Sequence, residues 1–166
     1  MKAKGIWIIV GVIVLGAALI NIFLAIAKEG PEKWLPHAGK QAEPTLRAYY
    51  YYKDRGQFTK LREIVTKESL TMVPAKDGPG MSERAQKARG IVIDHADVGE
   101  NQATLYFRSW FSRAAALNGG RPYVGRLIKE DGAWKVDIPT TLQLTLALEK
   151  GKTNLGFYDG TKEWWK

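Results

Sequence analysis

The sequence predicts an α+β fold: one N-terminal transmembrane helix, then a two-layer domain in which a helix packs on an antiparallel sheet. Three observations predict it. Residues 5–27 carry no charged side chain. Residues 45–66 place apolar side chains at helical spacing, and residues 90–138 alternate apolar and polar positions between turn signals. The expected division is an anchor over 1–27, a linker over 28–43, an α+β domain over 44–138 and an extension with an aromatic tail over 139–166.

From Gly5 to Ala27 there are 23 residues, and Asn21 is the only clearly polar side chain among them. As a helix rising about 1.5 Å per residue this run covers roughly 34 Å, enough for a hydrocarbon core of about 30 Å. The competing reading is a cleaved signal peptide, because Lys2 and Lys4 form a basic leader and Ala25-Ile26-Ala27 has the small-x-small pattern of a cleavage site. Signal cores run about 7–15 apolar residues, so the greater length favours an uncleaved anchor. Lys2, Lys4 and the amino terminus are positive, whereas residues 28–43 balance three lysines against three acids. Positive charge marks the cytoplasmic side. The expected location is therefore a bacterial inner (cytoplasmic) membrane, single-pass, with residues 28–166 periplasmic. Gly11, Val14, Ala18, Asn21 and Ala25 recur at steps of three and four and would share one helix face. Such a face suits contact with another helix, its amide contributing about 0.6–2 kcal/mol. The alternative is that Asn21 bonds its own backbone.

The rest of the chain has material for one domain of ordinary size. With no cysteine among 166 residues, disulfides and thiolate metal sites are excluded. The formal charge of +8 suits a domain lying near anionic headgroups. Nucleic-acid binding would need more than charge, and no recognised motif accompanies it.

Residues 28–43, with Gly30-Pro31, Pro36 and Gly39, read as a linker. Pro44 suits a first helical turn. Leu46, Tyr49, Tyr50, Phe58, Leu61, Ile64 and Val65 then follow helical spacing, with Gly56 splitting the run. Asp77-Gly78-Pro79-Gly80 is a turn, and residues 82–87 form a short helix or continue the loop. Strands follow over 90–98, 102–113, 121–129 and 133–138, separated by Gly99-Glu100-Asn101, Asn118-Gly119-Gly120 and Glu130-Asp131-Gly132. In the second strand Ala103, Leu105, Phe107 and Phe111 share one face. An antiparallel sheet with one apolar face needs a cover, and the preceding helix supplies it. Beyond Pro139, Leu142, Leu144, Leu146 and Leu148 alternate as in a strand, while the composition favours helix. The tail carries Phe157, Tyr158, Trp164 and Trp165, which need burial, a partner or a membrane interface.

The order of helix then four-strand meander resembles the nuclear transport factor 2-like superfamily, cystatin-like cones in which a curved sheet wraps a long helix. Two stretches carry the likeness. Residues 50–58, Tyr-Tyr-Tyr-Lys-Asp-Arg-Gly-Gln-Phe, are similar to its helix, short break and following aromatic. Residues 130–136, Glu-Asp-Gly-Ala-Trp-Lys-Val, resemble its final hairpin. The likeness spans residues 44–138, and these are core and turn residues, which define a fold and not a chemistry. An anchor joined to an exported cone resembles the membrane-anchored exported branch, including the inner-membrane assembly factors of type IV secretion. That resemblance implies protein contacts without catalysis.

Enzymes of the superfamily place acid–base residues in the mouth of the cone, and here the candidates are Asp94, His95 and Asp97. In a regular strand His95 and Asp97 point to one face and Asp94 to the other. A histidine oriented by a carboxylate is a fair general base, but one pair is a weak signal. His37 and His95 are 58 positions apart and form no ligand cluster, so no metal and no cofactor are expected. Four consecutive tyrosines cannot all be core, so one or two reach a pocket rim or a partner. The candidates for such a rim or interface are Tyr49, Tyr52, His95, Asp97, Trp110, Trp164 and Trp165. The expected function is a noncatalytic accessory or assembly subunit of a cell-envelope membrane complex. Its partners are the membrane and other envelope proteins, a second copy included, with no nucleic acid. The alternative is a small-ligand-binding or isomerase-like domain using the cone pocket.

Overall fold

The computed structural model describes residues 30–150. Pro31 opens a first helical turn, α1 (Pro31–Trp34), which runs into a 3-10 turn over Leu35–His37. Trp34, Leu35 and Ala38 pack against the core, so these residues belong to the domain's packing. The long helix α2 (Ala42–Asp54) follows. Its start is held by Thr45, whose hydroxyl accepts the Gly39 N–H at 2.8 Å and donates to the Gln41 carbonyl at 2.6 Å. Its end is set by Gly56, whose φ of +66° is a left-handed conformation that costs glycine little. A short α3 (Phe58–Glu63) starts under an Asp77 carboxylate that accepts the Thr59 N–H at 2.7 Å.

A 3-10 turn (Glu68–Met72) and a capped single-turn helix α4 (Glu83–Ala88) lead into the sheet. Its strands are β1 (Gly90–Val98), β2 (Gln102–Trp110), β3 (Arg121–Glu130) and β4 (Ala133–Val136), antiparallel in the order β1-β2-β3-β4. A short α5 (Arg113–Leu117) joins β2 to β3. Asp131 and Gly132, at φ 52° and 78°, make the two-residue turn that matches strand twist in a β3–β4 hairpin. The last helix, α6 (Ile138–Glu149), begins where Asp137 accepts the Thr140 N–H at 3.2 Å, with Pro139 in the first turn.

Alternation puts Ala103, Leu105 and Phe107 on the face that meets α2, and all three are buried. Leu46 from α2, with Leu127 and Val136 from β3 and β4, completes the layer. Gly125 is required there: a Cβ at that position would stand 2.7 Å from Leu46 Cδ1. Phe111, expected on the same face, lies past the end of β2 and is exposed.

The architecture is thus α+β with a four-stranded antiparallel sheet, and it corrects the expected one. Among the described residues no helix is long and apolar enough to cross a membrane. The longest, α2, has 13 residues, while a span needs about 20. The segment expected to form that helix, residues 1–27, lies outside the described residues, as does its contact face of Gly11, Val14, Ala18, Asn21 and Ala25.

Candidate functional site

The interface of α2 with the sheet is filled by the domain's own side chains. Phe107 is fully buried, stacked on Tyr123 with ring centroids 5.5 Å apart and met edge-on by Tyr50 at the same distance. Tyr49 and Tyr50 are both core residues. Burial pushes the Tyr49 hydroxyl up to about 12, Arg89 opposing it, and raises Tyr50 further. Of the tyrosine run, Tyr51 and Tyr52 reach the surface half-buried. Tyr52 lies under the Lys60 ammonium, 5.8 Å from its ring centroid.

Asp94, His95 and Asp97 do not divide between faces as a regular strand would have them. The β1–β2 register slips between Ile93 and His95. The extra residue of this bulge breaks the alternation. Asp94 pairs with Arg108, accepting from Nη2 at 2.6 Å and Nε at 2.9 Å, while His95 stacks on Tyr106 at 5.8 Å. Arg108, Tyr106 and Thr104, the partners of this stretch, all lie on the face turned away from α2. Asp97, opposite Thr104, is exposed. The three candidate acid–base groups are therefore on the outer face and not in a cone mouth. Trp110 is buried over Gly90, where a Cβ would stand 2.2 Å from the ring. Trp164 and Trp165 lie outside the described residues.

Two concavities among the described residues bear on a site. The smaller, ≈ 200 Å³, lies between α1, the outer side of α2, α4 and the start of β1. Its cations are engaged by the domain itself: Arg89 Nε is 2.5 Å from Asp54 Oδ2 and its guanidinium lies over Tyr50 and Phe111, at 4.9 and 4.1 Å. The Arg55 guanidinium is stacked 3.7 Å above Tyr51. The volume falls below the roughly 300–1,000 Å³ of most small-molecule sites.

The larger concavity, ≈ 520 Å³, runs beside the C-terminal half of β1. Ala96, Val98, Leu105 and Trp134 supply an apolar floor, and Lys33, His37, Lys40 and Arg47 supply a basic rim. Glu43 is spent on Arg47, at 2.8 Å. Lys33 and Lys40 form no ion pair among the described residues.

Backbone geometry adds to this groove. Residues of an antiparallel strand alternate between bonding the partner strand and facing away from it. On β3, Val124 and Arg126 face away from β2, and the hydroxyls of Thr145 and Thr141 bond both their N–H and C=O groups. On β1, Arg47 Nη1 donates to the outward carbonyl of Ile91 at 3.1 Å. Counting from Ile91 through the bulge, the outward residues are Ile93, Ala96 and Val98. Among the described residues no strand lies beyond β1, and no hydrogen bond reaches the outward groups of Ala96 and Val98.

This edge was missed in the sequence because the bulge that decides its parity leaves no mark in composition. The basic rim was missed as well, since Lys33, His37 and Lys40 lay in an apparent linker and Arg47 on a separate helix. No protein-family model, curated protein or solved structure matches the chain.

Proposed function

We propose that this chain is a noncatalytic docking module, an accessory or assembly subunit that binds another protein through its folded surface. The observation that carries this reading is the filled helix–sheet layer. Phe107, Leu46, Leu105 and Leu127 occupy the space where a cone would hold a substrate. What the domain offers instead is on its outside: the groove along β1 and the exposed apolar side chains Val98, Leu142 and Leu146. Leu142 and Leu146 are one helical turn apart on α6 and so form one patch. Exposed apolar patches of this kind mark protein contacts. The cell-envelope setting expected for the complex rests on residues 1–27, outside the described residues.

A second reading has one observation in its favour. At ≈ 520 Å³ with an apolar floor and cationic rim, the groove has the size and chemistry of a site for a small amphipathic acid. His95 and Asp97 face away from that floor, so in this reading the groove binds without acid–base catalysis.

The test is native mass spectrometry of the gently extracted full-length chain, with photo-crosslinkers at Val98 and Leu142 in cells. A stoichiometric partner protein crosslinked from either position supports docking. A bare monomer with no protein adduct from either position overturns it, and a retained small acid in that monomer selects the second reading.

A further inference from the structure

The open edge of β1 names the partner's chemistry more narrowly, an inference that rests on the docking reading. We infer that β1 is completed by an extended acidic segment of another protein, added as a fifth strand against Ala96 and Val98. Two independent features converge on this. The first is the backbone: β3 has its outward groups bonded by Thr141 and Thr145, and Arg47 bonds Ile91, yet the outward N–H and C=O groups of Ala96 and Val98 have no protein partner among the described residues. Edge strands left in this state accept a further strand, the main-chain bonds supplying affinity and alternate side chains supplying specificity. The second is the side-chain environment. Ala96 and Val98 turn their side chains to the apolar floor shared with Leu105 and Trp134, while Lys33, His37 and Lys40 stand on the rim. An added strand would therefore turn one face to the groove, with apolar side chains at its centre on the floor and carboxylates at its ends against the rim.

Charge also selects among occupants. Residues 1–29 hold three lysines against Glu29, and residues 151–166 hold three lysines against Asp159 and Glu163. Both stretches are net basic and would meet a basic rim. A second copy pairing β1 to β1 would bring two sets of Lys33 and Lys40 together, and like charges across an interface disfavour it. An acidic segment from another protein is the occupant whose charge fits.

The test uses the full-length chain in mild detergent and a threonine-based octapeptide whose four groove-facing positions read glutamate, valine, valine, glutamate, with the same peptide carrying lysine for glutamate as control. Amide hydrogen exchange is the readout. The acidic peptide at saturation should slow exchange at Ala96 and Val98 at least about tenfold. Added salt should weaken the effect. Ala96→Pro removes an outward N–H while leaving the β1–β2 bonds, so unchanged exchange at His95 and Asp97 verifies folding and the protection at Val98 should vanish. The pair Lys33→Glu, Lys40→Glu tests the rim without touching the strand and should also abolish protection. Unchanged exchange with saturating acidic peptide overturns the inference, as does equal protection by the lysine peptide. Protection that grows with protein concentration in the absence of peptide also overturns it, in favour of a second copy. If crosslinks in cells arise from Leu142 and the peptide leaves β1 unprotected, the docking reading stands and the strand-addition inference fails. Peptide protection without a cellular adduct from either position means the opposite: β1 accepts an acidic strand, and docking in cells fails.

Discussion

Arg89 and Asp54 form a buried ion pair, Nε to Oδ2 at 2.5 Å, with side chains only 14% and 4% exposed. The contact is a charge contact and not an aligned hydrogen bond: the Nε–H of Arg89 has no hydrogen-bond acceptor among the described residues. Burial holds the Asp54 carboxyl above its usual range, with Arg89 the main opposing influence. Removing one partner from such a pair leaves the other charged and desolvated, which costs about 3–5 kcal/mol, whereas replacing both with apolar groups is often near neutral. Arg89→Met should therefore lower the urea midpoint sharply, and adding Asp54→Leu should restore most of it. The sign with pH follows from the raised carboxyl. A folded pKa above the unfolded value, about 3.9, gives stability that is fully present below the unfolded value and lost as pH rises through the folded one. The Arg89→Met midpoint should accordingly recover towards the parent's as the solution is acidified.

The Thr141 hydroxyl accepts the Arg126 N–H at 2.9 Å and donates to its carbonyl, standing in for a missing strand beyond the end of β4. Thr141→Val keeps the shape and deletes both bonds, leaving the Arg126 N–H without a partner while its carbonyl keeps the Asp137 N–H at 2.9 Å. The expected loss is about 1–3 kcal/mol of stability. Faster exchange at Arg126 with little change at Leu127, which bonds β2, would confirm that the loss is local to this edge.

These two clusters show what the sequence made legible and what it did not. Gly56, Asp131 and Gly132 mark the helix break and the final hairpin, because left-handed backbone restricts the residues that serve there. The limits of β1 were legible from the turns around it. Its bulge was not, since alternation reads the same on either side of an inserted residue and Asp94 gives no sign that it changes face. In α6 the leucines at 142, 144, 146 and 148 suit strand and helix alike. Asp137 as cap and Pro139 in the first turn decide for helix, and Thr141 and Thr145 acquire their role only because β4 stops at Val136. The basic rim was spread between an apparent linker and the second turn of α2, so no local window displayed Lys33, Lys40 and Arg47 as one surface. The transmembrane expectation rested on residues outside the described structure and has no counterpart within it.

Gly125 faces Leu46 closely enough that a methyl group would stand 2.7 Å from Cδ1 and 2.9 Å from Cδ2. Both sit in the fully packed layer, where neighbours have little room to yield. Gly125→Ala should destabilise by about 1–3 kcal/mol through overpacking, outweighing the gain in backbone rigidity. Combined with Leu46→Val, which deletes the offending Cδ atoms, the double variant should be more stable than the two single effects add up to. A double-mutant cycle of denaturation midpoints measures that coupling, and strict additivity would refute the contact.

Asp77 and Thr59 give a pH dependence of opposite sign to that of Asp54. The Asp77 carboxylate accepts the Thr59 N–H at 2.7 Å, and this bond with its Thr59 hydroxyl contact lowers the Asp77 pKa. A folded pKa below the unfolded value contributes stability that is present above the unfolded value, near 3.9, and is lost as pH falls through the folded one. Asp77→Ala should therefore lower the urea midpoint at neutral pH. At pH values below both pKa values the carboxyl of the parent is protonated in either state, and the difference between parent and variant should disappear. Midpoints measured for both proteins across this range decide the matter: a gap that stays constant as the pH falls would mean that the side chain acts through packing, and that the charged cap on α3 contributes nothing.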